Sequence, residues 1–157
     1  MAVRFTDDQI EKLLRERKPL PSDYRVRLQL KPKRGHKERE LVIKGETGSE
    51  FRIVLRQSDS NPLDFSVILM YGLPNSYQFF RLRRYNGSHE HTNRLEGESF
   101  DDFHVHSATE RYQDSGLRED AFALPSDRFA DIQGALECML RDCNFNVPGR
   151  SQVELFA

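Results

Sequence analysis

The order of the strands is decided by residues 51–85, which read FRIVLRQSDSNPLDFSVILMYGLPNSYQFFRLRRY. Apolar residues alternate with mostly basic ones over 51–56, a period of two that predicts a strand. Residues 65–71 are nearly all apolar and predict a central strand that is buried on both faces. Short polar loops connect these two strands to a third one over 77–85, and strands joined so closely predict an antiparallel sheet.

Further strands are predicted on both sides of this stretch. Four apolar residues alternate with polar ones and predict a strand over 24–31; they are Tyr24, Val26, Leu28 and Leu30. A strand around 41–44 follows a basic loop, and another strand is expected over about 102–112. An edge strand is also expected at 153–156 in the tail.

A helix is predicted near each end of the chain. Thr6 is followed three residues later by Gln9, the spacing of a capping box, and Pro19 marks the end of this first helix. Ser126 is the expected cap of a second helix, and Asn144 is its expected stop. The apolar stripe of that helix is Phe129, Ile132, Leu136, Leu140 and Cys143. We therefore predict a single α+β domain over 1–157, with a mainly antiparallel sheet of five to seven strands and an N-terminal and a C-terminal helix.

The charged residues are unevenly distributed along the chain. The net charge is −1 with histidine neutral, but residues 1–57 hold 15 Lys and Arg against 9 Asp and Glu. The N-terminal part therefore carries +6 and the remainder −7. Either these are ordinary solvated surfaces, or the basic part forms an anion-binding surface.

Several features indicate a cytoplasmic protein. No apolar run approaches the roughly 18 residues that span a bilayer, and the acidic start lacks the apolar core of a secretion signal. Cys138 and Cys143 are five residues apart on a predicted helix, which places them on different faces and disfavours a disulfide. We expect two reduced thiols, with Cys143 in the core, and no membrane partner.

The main functional signal is a group of histidines. The chain has five histidines, and four of them fall in two His-x-His pairs, His89 with His91 and His104 with His106. Residues two apart on a strand share a face and lie about 6.5–7 Å apart. On the strand predicted over 102–112, Glu110 and Tyr112 would share the face of the second pair. We expect these histidines to face a cleft or solvent, with the Phe103 side toward the core.

A metal site is one interpretation of the histidines. The spacing H-x-H-x3-E from His104 to Glu110 resembles the first motif of the cupin family, and Gly97 and Gly116 stand near the places of its flanking glycines. The resemblance covers about 20 residues and implies a metal held by histidines and a carboxylate. Cupins take a further histidine from a downstream motif, and no histidine follows His106 here. What remains is a single transition-metal ion on His104, His106 and Glu110, or no cofactor at all.

Metal-free acid–base chemistry is the first hypothesis. Histidine titrates near neutrality, so a pair can take a proton from one oxygen and give a proton to another. Cleavage of a phosphodiester in RNA or a nucleotide needs such a pair and a cation for the phosphate. In this hypothesis His104 and His106 are acid and base, and His89 or His91 assists them. Arg111 would stabilise negative charge and Tyr112 would donate a hydrogen bond. The candidate substrate-binding residues are Arg94, Arg83, Arg84, Arg25 and Arg27.

Two other interpretations remain open. The histidines can form a structural network with nearby carboxylates, or the chain can be an interaction module of a two-protein regulatory pair, with its basic and acidic parts as contact surfaces. The segments HEHTN and FHVHSATERYQ also resemble an uncharacterised family of small bacterial proteins, over about residues 65–144. That resemblance implies a recurring domain and brings no activity with it. The size of the chain fits a toxin-like or phage-defence protein.

Overall fold

A computed structural model describes residues 3–148. Its helices are α1 (Asp7–Arg15), α2 (Tyr24–Arg27), α3 (Glu110–Asp114) and α4 (Ile132–Asp142). Its strands are β1 (Lys18–Pro19), β2 (Lys31–Pro32), β3 (His36–Lys44), β4 (Glu50–Ser58), β5 (Phe65–Gly72), β6 (Phe79–Asn86), β7 (His91–Asn93), β8 (Glu98–Phe100), β9 (His104–Ser107), β10 (Phe122–Pro125) and β11 (Phe145–Asn146). The strand predicted at 153–156 lies outside the described residues.

Seven strands form the main sheet in the order β10-β9-β6-β5-β4-β3-β2, and every neighbouring pair is antiparallel. Strands β7 and β8 form a separate hairpin, and β1 pairs in parallel with β11. The predicted α+β fold is confirmed, since an antiparallel sheet lies between an N-terminal and a C-terminal helix in the chain. The strand predicted to be central, β5, is the middle strand of the seven.

The core lies between one face of the sheet and helices α1 and α4. Phe65, Val67 and Leu69 of β5 point into it, together with buried residues of both helices such as Ile10 and Leu136. Ile68 and Met70 point to the opposite face of β5 and are partly exposed. The prediction that this strand is buried on both faces is therefore wrong for the face that carries Ile68 and Met70. We call this face of the sheet, which points away from α1 and α4, the open face.

The strand predicted over 24–31 is wrong, because Tyr24–Arg27 is a helix. The backbone N–H of Leu28 donates to the carbonyl of Tyr24, and both of these side chains are buried. Val26, which a strand would place beside them, is 62% exposed. Two apolar residues four apart share a face in a helix and in a strand, so alternation over so few residues does not separate the two structures.

The helix ends follow the predictions in part. Thr6 and Gln9 form the predicted capping box of α1. The cap of α4 is Asp131 rather than Ser126, and its carboxylate accepts a hydrogen bond from the N–H of Gly134. Asn144 ends the helix as predicted, with φ of 58° in the left-handed region that asparagine tolerates. All five residues of the predicted apolar stripe are buried.

Both cysteines are unpaired and buried, and Cys143 lies in the core as predicted. Cys138 is also buried in the core. Among the helices of residues 3–148, none combines the length and apolar character that a membrane crossing requires.

Candidate functional site

The two histidine pairs meet in space. The rings of His104 and His106 have centroids 4.9 Å apart, and the ring of His91 lies 5.5 Å from the first and 4.6 Å from the second. The ring of His89 is 5.1 Å from that of His104, at a nearly perpendicular angle. We call these four residues the histidine cluster. Segments that are separate in sequence thus build one continuous group of imidazoles.

Strand β9 carries His104 and His106, which we call the inner pair of the cluster. In the register of the sheet, His104 is opposite Asn86 and His106 is opposite Arg84, and both pairs lie on the open face. Phe103 and Val105 pack against the core on the other face, as predicted. The expectation that the inner pair faces a cleft or solvent is wrong, because His104 is 0% exposed and His106 is 2% exposed.

The tautomers of the inner pair follow from their hydrogen bonds. Nδ1–H of His104 donates to the carbonyl of Asp102 over 2.7 Å, and Nδ1–H of His106 donates to the carbonyl of Asp120 over 2.8 Å. The Nε2 atom of each ring therefore carries a lone pair. The side-chain amide of Asn86 donates to Nε2 of His104 at 3.5 Å and to Nε2 of His89 at 3.1 Å.

Asn93 docks the β7–β8 hairpin against the main sheet. Its side-chain amide donates to the carbonyl of Ala123 over 2.7 Å, and its Oδ1 accepts from the N–H of the same residue over 2.9 Å. This pairing fixes the orientation of the amide. Oδ1 also lies 2.8 Å from Nε2 of His91, so that nitrogen must carry the hydrogen and Nδ1 of His91 is left with the lone pair.

Burial keeps the inner pair uncharged. It lowers the pKa of His104 to about 4, because a charged ring would lose its hydration there. It lowers the pKa of His106 to about 2, with a further contribution from the positive charge of Arg84. Burial also lowers the pKa of His89, while the nearby carboxylate of Asp64 partly opposes this.

These lowered pKa values predict that the protein loses stability as the pH falls. Between about pH 6.5 and pH 5 the unfolded chain binds protons on His104 and His106 while the folded chain does not, so the free energy of unfolding drops by up to about 1.4 kcal/mol per pH unit for each ring. Urea unfolding at several pH values measures the slope. His104→Gln with His106→Gln should flatten it. An identical slope in the double variant would contradict the prediction.

Arg84 is the predicted substrate-binding arginine that lies nearest the cluster. Its guanidinium is 3.3 Å from the carboxylate of Asp120, and its side chain is mostly buried. Its charge lowers the pKa of three of the four histidines. Arg83 points to the other face of the sheet, toward Asp142 and Cys143 beside α4, so it is not brought to the cluster.

Three predicted site residues follow β9 in the chain but do not lie on the face that carries the histidines; they are Glu110, Arg111 and Tyr112. The chain enters α3 at Glu110, so the continuous strand over 102–112 is wrong. Glu110 accepts a hydrogen bond from the N–H of Asp7, which holds it at the start of α1. Arg111 pairs with Glu96, and the hydroxyl of Tyr112 donates to the same carboxylate over 2.5 Å. These two residues thus secure the hairpin rather than line the cluster.

The remaining arginines lie away from the inner histidines. Arg25 and Arg27 are on α2, which contacts β3. Strand β3 lies near one edge of the sheet, and β9 and β10 lie at the other edge. Arg27 pairs with Asp23. Arg94 is exposed in the turn of the hairpin.

The metal triad predicted from the cupin-like spacing is not assembled, because Glu110 lies on α3 beside α1. Within residues 3–148, no three His, Cys, Asp or Glu side chains are grouped so that they could hold one ion. The spacing H-x-H-x3-E places the carboxylate on the histidine face only if the strand is continuous, and the turn after Ser107 removes it from that face.

Sequence reasoning missed the residues that orient the rings. Asn86, Asn93 and Asp120 are all buried and polar, and each forms a hydrogen bond to a histidine. Asn93 stands two residues after His91 in the HEHTN segment, which was a signal that an amide can reach the ring. Asp120 contributes its backbone carbonyl, a group that every residue has, so no sequence signal marked it.

The fold and the site define an α+β protein whose antiparallel sheet has helices on one face and a partly buried histidine cluster on the other. The chain belongs to DUF6978, a family of unknown function whose model matches residues 5–146. The expectation of an uncharacterised family is thereby confirmed. No curated protein and no solved structure matches the chain.

Proposed function

We propose that the histidine cluster performs metal-free acid–base catalysis on a phosphodiester, with RNA as the substrate class. The observation that carries this proposal is the division of the cluster into a buried inner pair and an accessible outer pair, His89 and His91. Only the outer pair can meet a substrate, so the roles of acid and base move from His104 and His106 to His89 and His91. The inner pair packs behind them as neutral support.

His91 has the features of a general base. Its Nε2–H is fixed on Asn93, which is itself fixed on the backbone of Ala123, so the lone pair of Nδ1 has one defined direction. A base held in a single tautomer by a third group is the arrangement that activates a nucleophile in many enzymes. In RNA, that lone pair would take the proton of the 2′-hydroxyl.

His89 is the matching general acid. Its Nδ1 lies 3.8 Å from the carboxylate of Asp64, which partly offsets the lowering of the His89 pKa by burial. Protonated His89 would give its proton to the departing 5′-oxygen as the 2′-oxygen bonds to phosphorus, leaving a 2′,3′-cyclic phosphate and a free 5′-hydroxyl. Arg84 supplies positive charge for the phosphate oxygens.

The test is cleavage of a labelled single-stranded RNA by the purified protein. His89→Ala and His91→Ala should each reduce the rate by about 10²–10⁴-fold, the usual contribution of a general acid or base. His36→Ala is the matched control, since the fifth histidine lies on β3, near the other edge of the sheet, and should keep full activity. DNA of the same sequence lacks the 2′-hydroxyl and should stay intact.

Other outcomes separate the alternatives. Full activity of His91→Ala, or no RNA cleavage by the native protein, would end this proposal. Activity that disappears with a chelator and returns with a transition metal would replace it with metal-dependent chemistry. Co-purification of a stoichiometric protein partner without turnover of any substrate would favour the interaction module instead.

A further inference from the structure

Asp120 is a completely buried carboxylate beside the histidine cluster. It lies between α3 and β10, and its side chain is 0% exposed. One carboxylate oxygen is 3.3 Å from Nε of Arg84, and the other is 3.7 Å from Nε of Arg118. Neither oxygen accepts a hydrogen bond from any residue in the range 3–148. The carboxylate is therefore held between two positive charges without directed hydrogen bonds.

Stability alone does not account for such a group. A buried ion pair loses the hydration of both charges, and an apolar pair of similar size is often at least as stable. Asp120 also touches the cluster in a second way, because its carbonyl accepts the Nδ1–H of His106 over 2.8 Å. One residue thus connects an inner imidazole with the nearest arginine.

Arg84 needs such a partner to stay at the cluster. It stands opposite His106 across the strands β6 and β9, and its guanidinium has a buried Nε without a hydrogen bond. The charged groups around it are Asp120, Arg118, Arg81 and Glu119. Two of these repel Arg84, and Asp120 is the fully buried carboxylate that attracts it, so removing the charge of Asp120 would free the guanidinium to move.

We propose that Asp120 is a positioning residue, which holds the guanidinium of Arg84 at the histidine cluster to meet the negative charge of a phosphodiester. This inference rests on the proposed function for the identity of the substrate. The placement of Arg84 by Asp120 can be tested without any substrate.

The first test is a titration of the histidine rings by NMR in the native protein and in Asp120→Asn, which keeps the size and the backbone carbonyl. Arg84 is free to leave the cluster in the variant, which weakens its repulsion of a charged His89 ring, so the pKa of His89 should rise. His89 also faces Asp64, His91 and His104, which are unchanged. Asp8→Asn, at an exposed position on α1, is the control and should not move it. A His89 pKa that is unchanged or lower in Asp120→Asn overturns the proposal.

The second test uses RNA cleavage. A misplaced Arg84 should lower kcat/KM by about 10–100-fold, with a large part of the loss in KM because the phosphate is held less well. A merely structural role would reduce the amount of active protein and leave KM unchanged, and that result overturns the proposal. If the native protein does not cleave RNA, the proposed function fails, and the NMR titration still decides whether Asp120 places Arg84.

A double variant covers the case in which Asp120→Asn is too weakly stable for the NMR titration. Arg84→Gln together with Asp120→Asn removes both charges, so no unpaired guanidinium is left in a buried site. The double variant should therefore be more stable to urea than Asp120→Asn alone. Additive destabilisation by the two substitutions would show that the residues do not act as a unit, and it would overturn the inference.

Discussion

Replacing Lys18 with methionine is expected to lower the free energy of unfolding by about 3–5 kcal/mol, because it removes a buried charge that satisfies several carbonyls at once. The Nζ of Lys18 is within 2.9 Å of the carbonyls of Leu13, Leu14, Glu16 and Cys143. Three of these carbonyls belong to the last turn of α1 and the residue that follows it, and the fourth belongs to Cys143, the residue that directly follows α4. The ammonium group thus joins the negative ends of two helices.

The same ammonium group also stands 4.5 Å from the centre of the Phe51 ring. Methionine has a similar length but no donor, so the carbonyls would stay buried without partners. Urea unfolding measures the loss, and Lys12→Met is the matched control on the exposed side of α1, with an expected change within about 0.5 kcal/mol. Equal stability of the two variants would show that Lys18 does not join the helices.

Replacing Asn93 with alanine is the second change with a large expected effect. Its side chain forms two hydrogen bonds with the backbone of Ala123 and accepts a third from His91, all of them buried or partly buried. Loss of these bonds leaves an edge-strand N–H and carbonyl unsatisfied, which should cost about 2–4 kcal/mol of stability. The hairpin should detach from β10, and the ring of His91 should lose its fixed tautomer.

Two measurements check this effect. Urea unfolding gives the stability, and the nitrogen chemical shifts of the His91 ring report whether Nε2 still carries the hydrogen. Thr92→Ala is the control. Within residues 3–148 the Thr92 hydroxyl bonds only to Ser99, in an exposed pair, so its loss should change stability by about 0.5 kcal/mol or less. Asn93→Asp keeps the acceptor but loses the donor to Ala123, so it should also destabilise the hairpin. Native-like stability of Asn93→Ala would contradict the role given to this residue.

The core strands and the helix positions were predictable because their signals are local. The alternation over 51–56 and the apolar run over 65–71 are properties of neighbouring residues, and the structure has β4 and β5 there. The capping box at Thr6 is likewise complete within four residues. The error at Tyr24 arose where a local signal was ambiguous, since a helical turn and a short strand bury the same two residues.

The sequence identified the histidines of the candidate site, but it did not predict how deeply each of them is buried. The period of two placed His104 and His106 on one face, and that assignment is confirmed by the register with β6. Their burial was not predictable, because it comes from the β7–β8 hairpin, whose Asn93 bonds to Ala123 thirty residues away in sequence. Glu110 was assigned to the same face because nothing in the spacing marks the start of α3.

The sequence by itself determined the alternation of apolar and polar residues, and with it the antiparallel sheet and the side of β9 on which the histidines stand. Only the tertiary structure decided which imidazoles are accessible, which nitrogen of each ring carries its hydrogen, and which arginine lies beside them. The physical reason is that strand periodicity acts between neighbours in the chain. Burial, tautomer and ion pairing depend instead on groups such as Ala123 and Asp120, which are brought to the rings by folding.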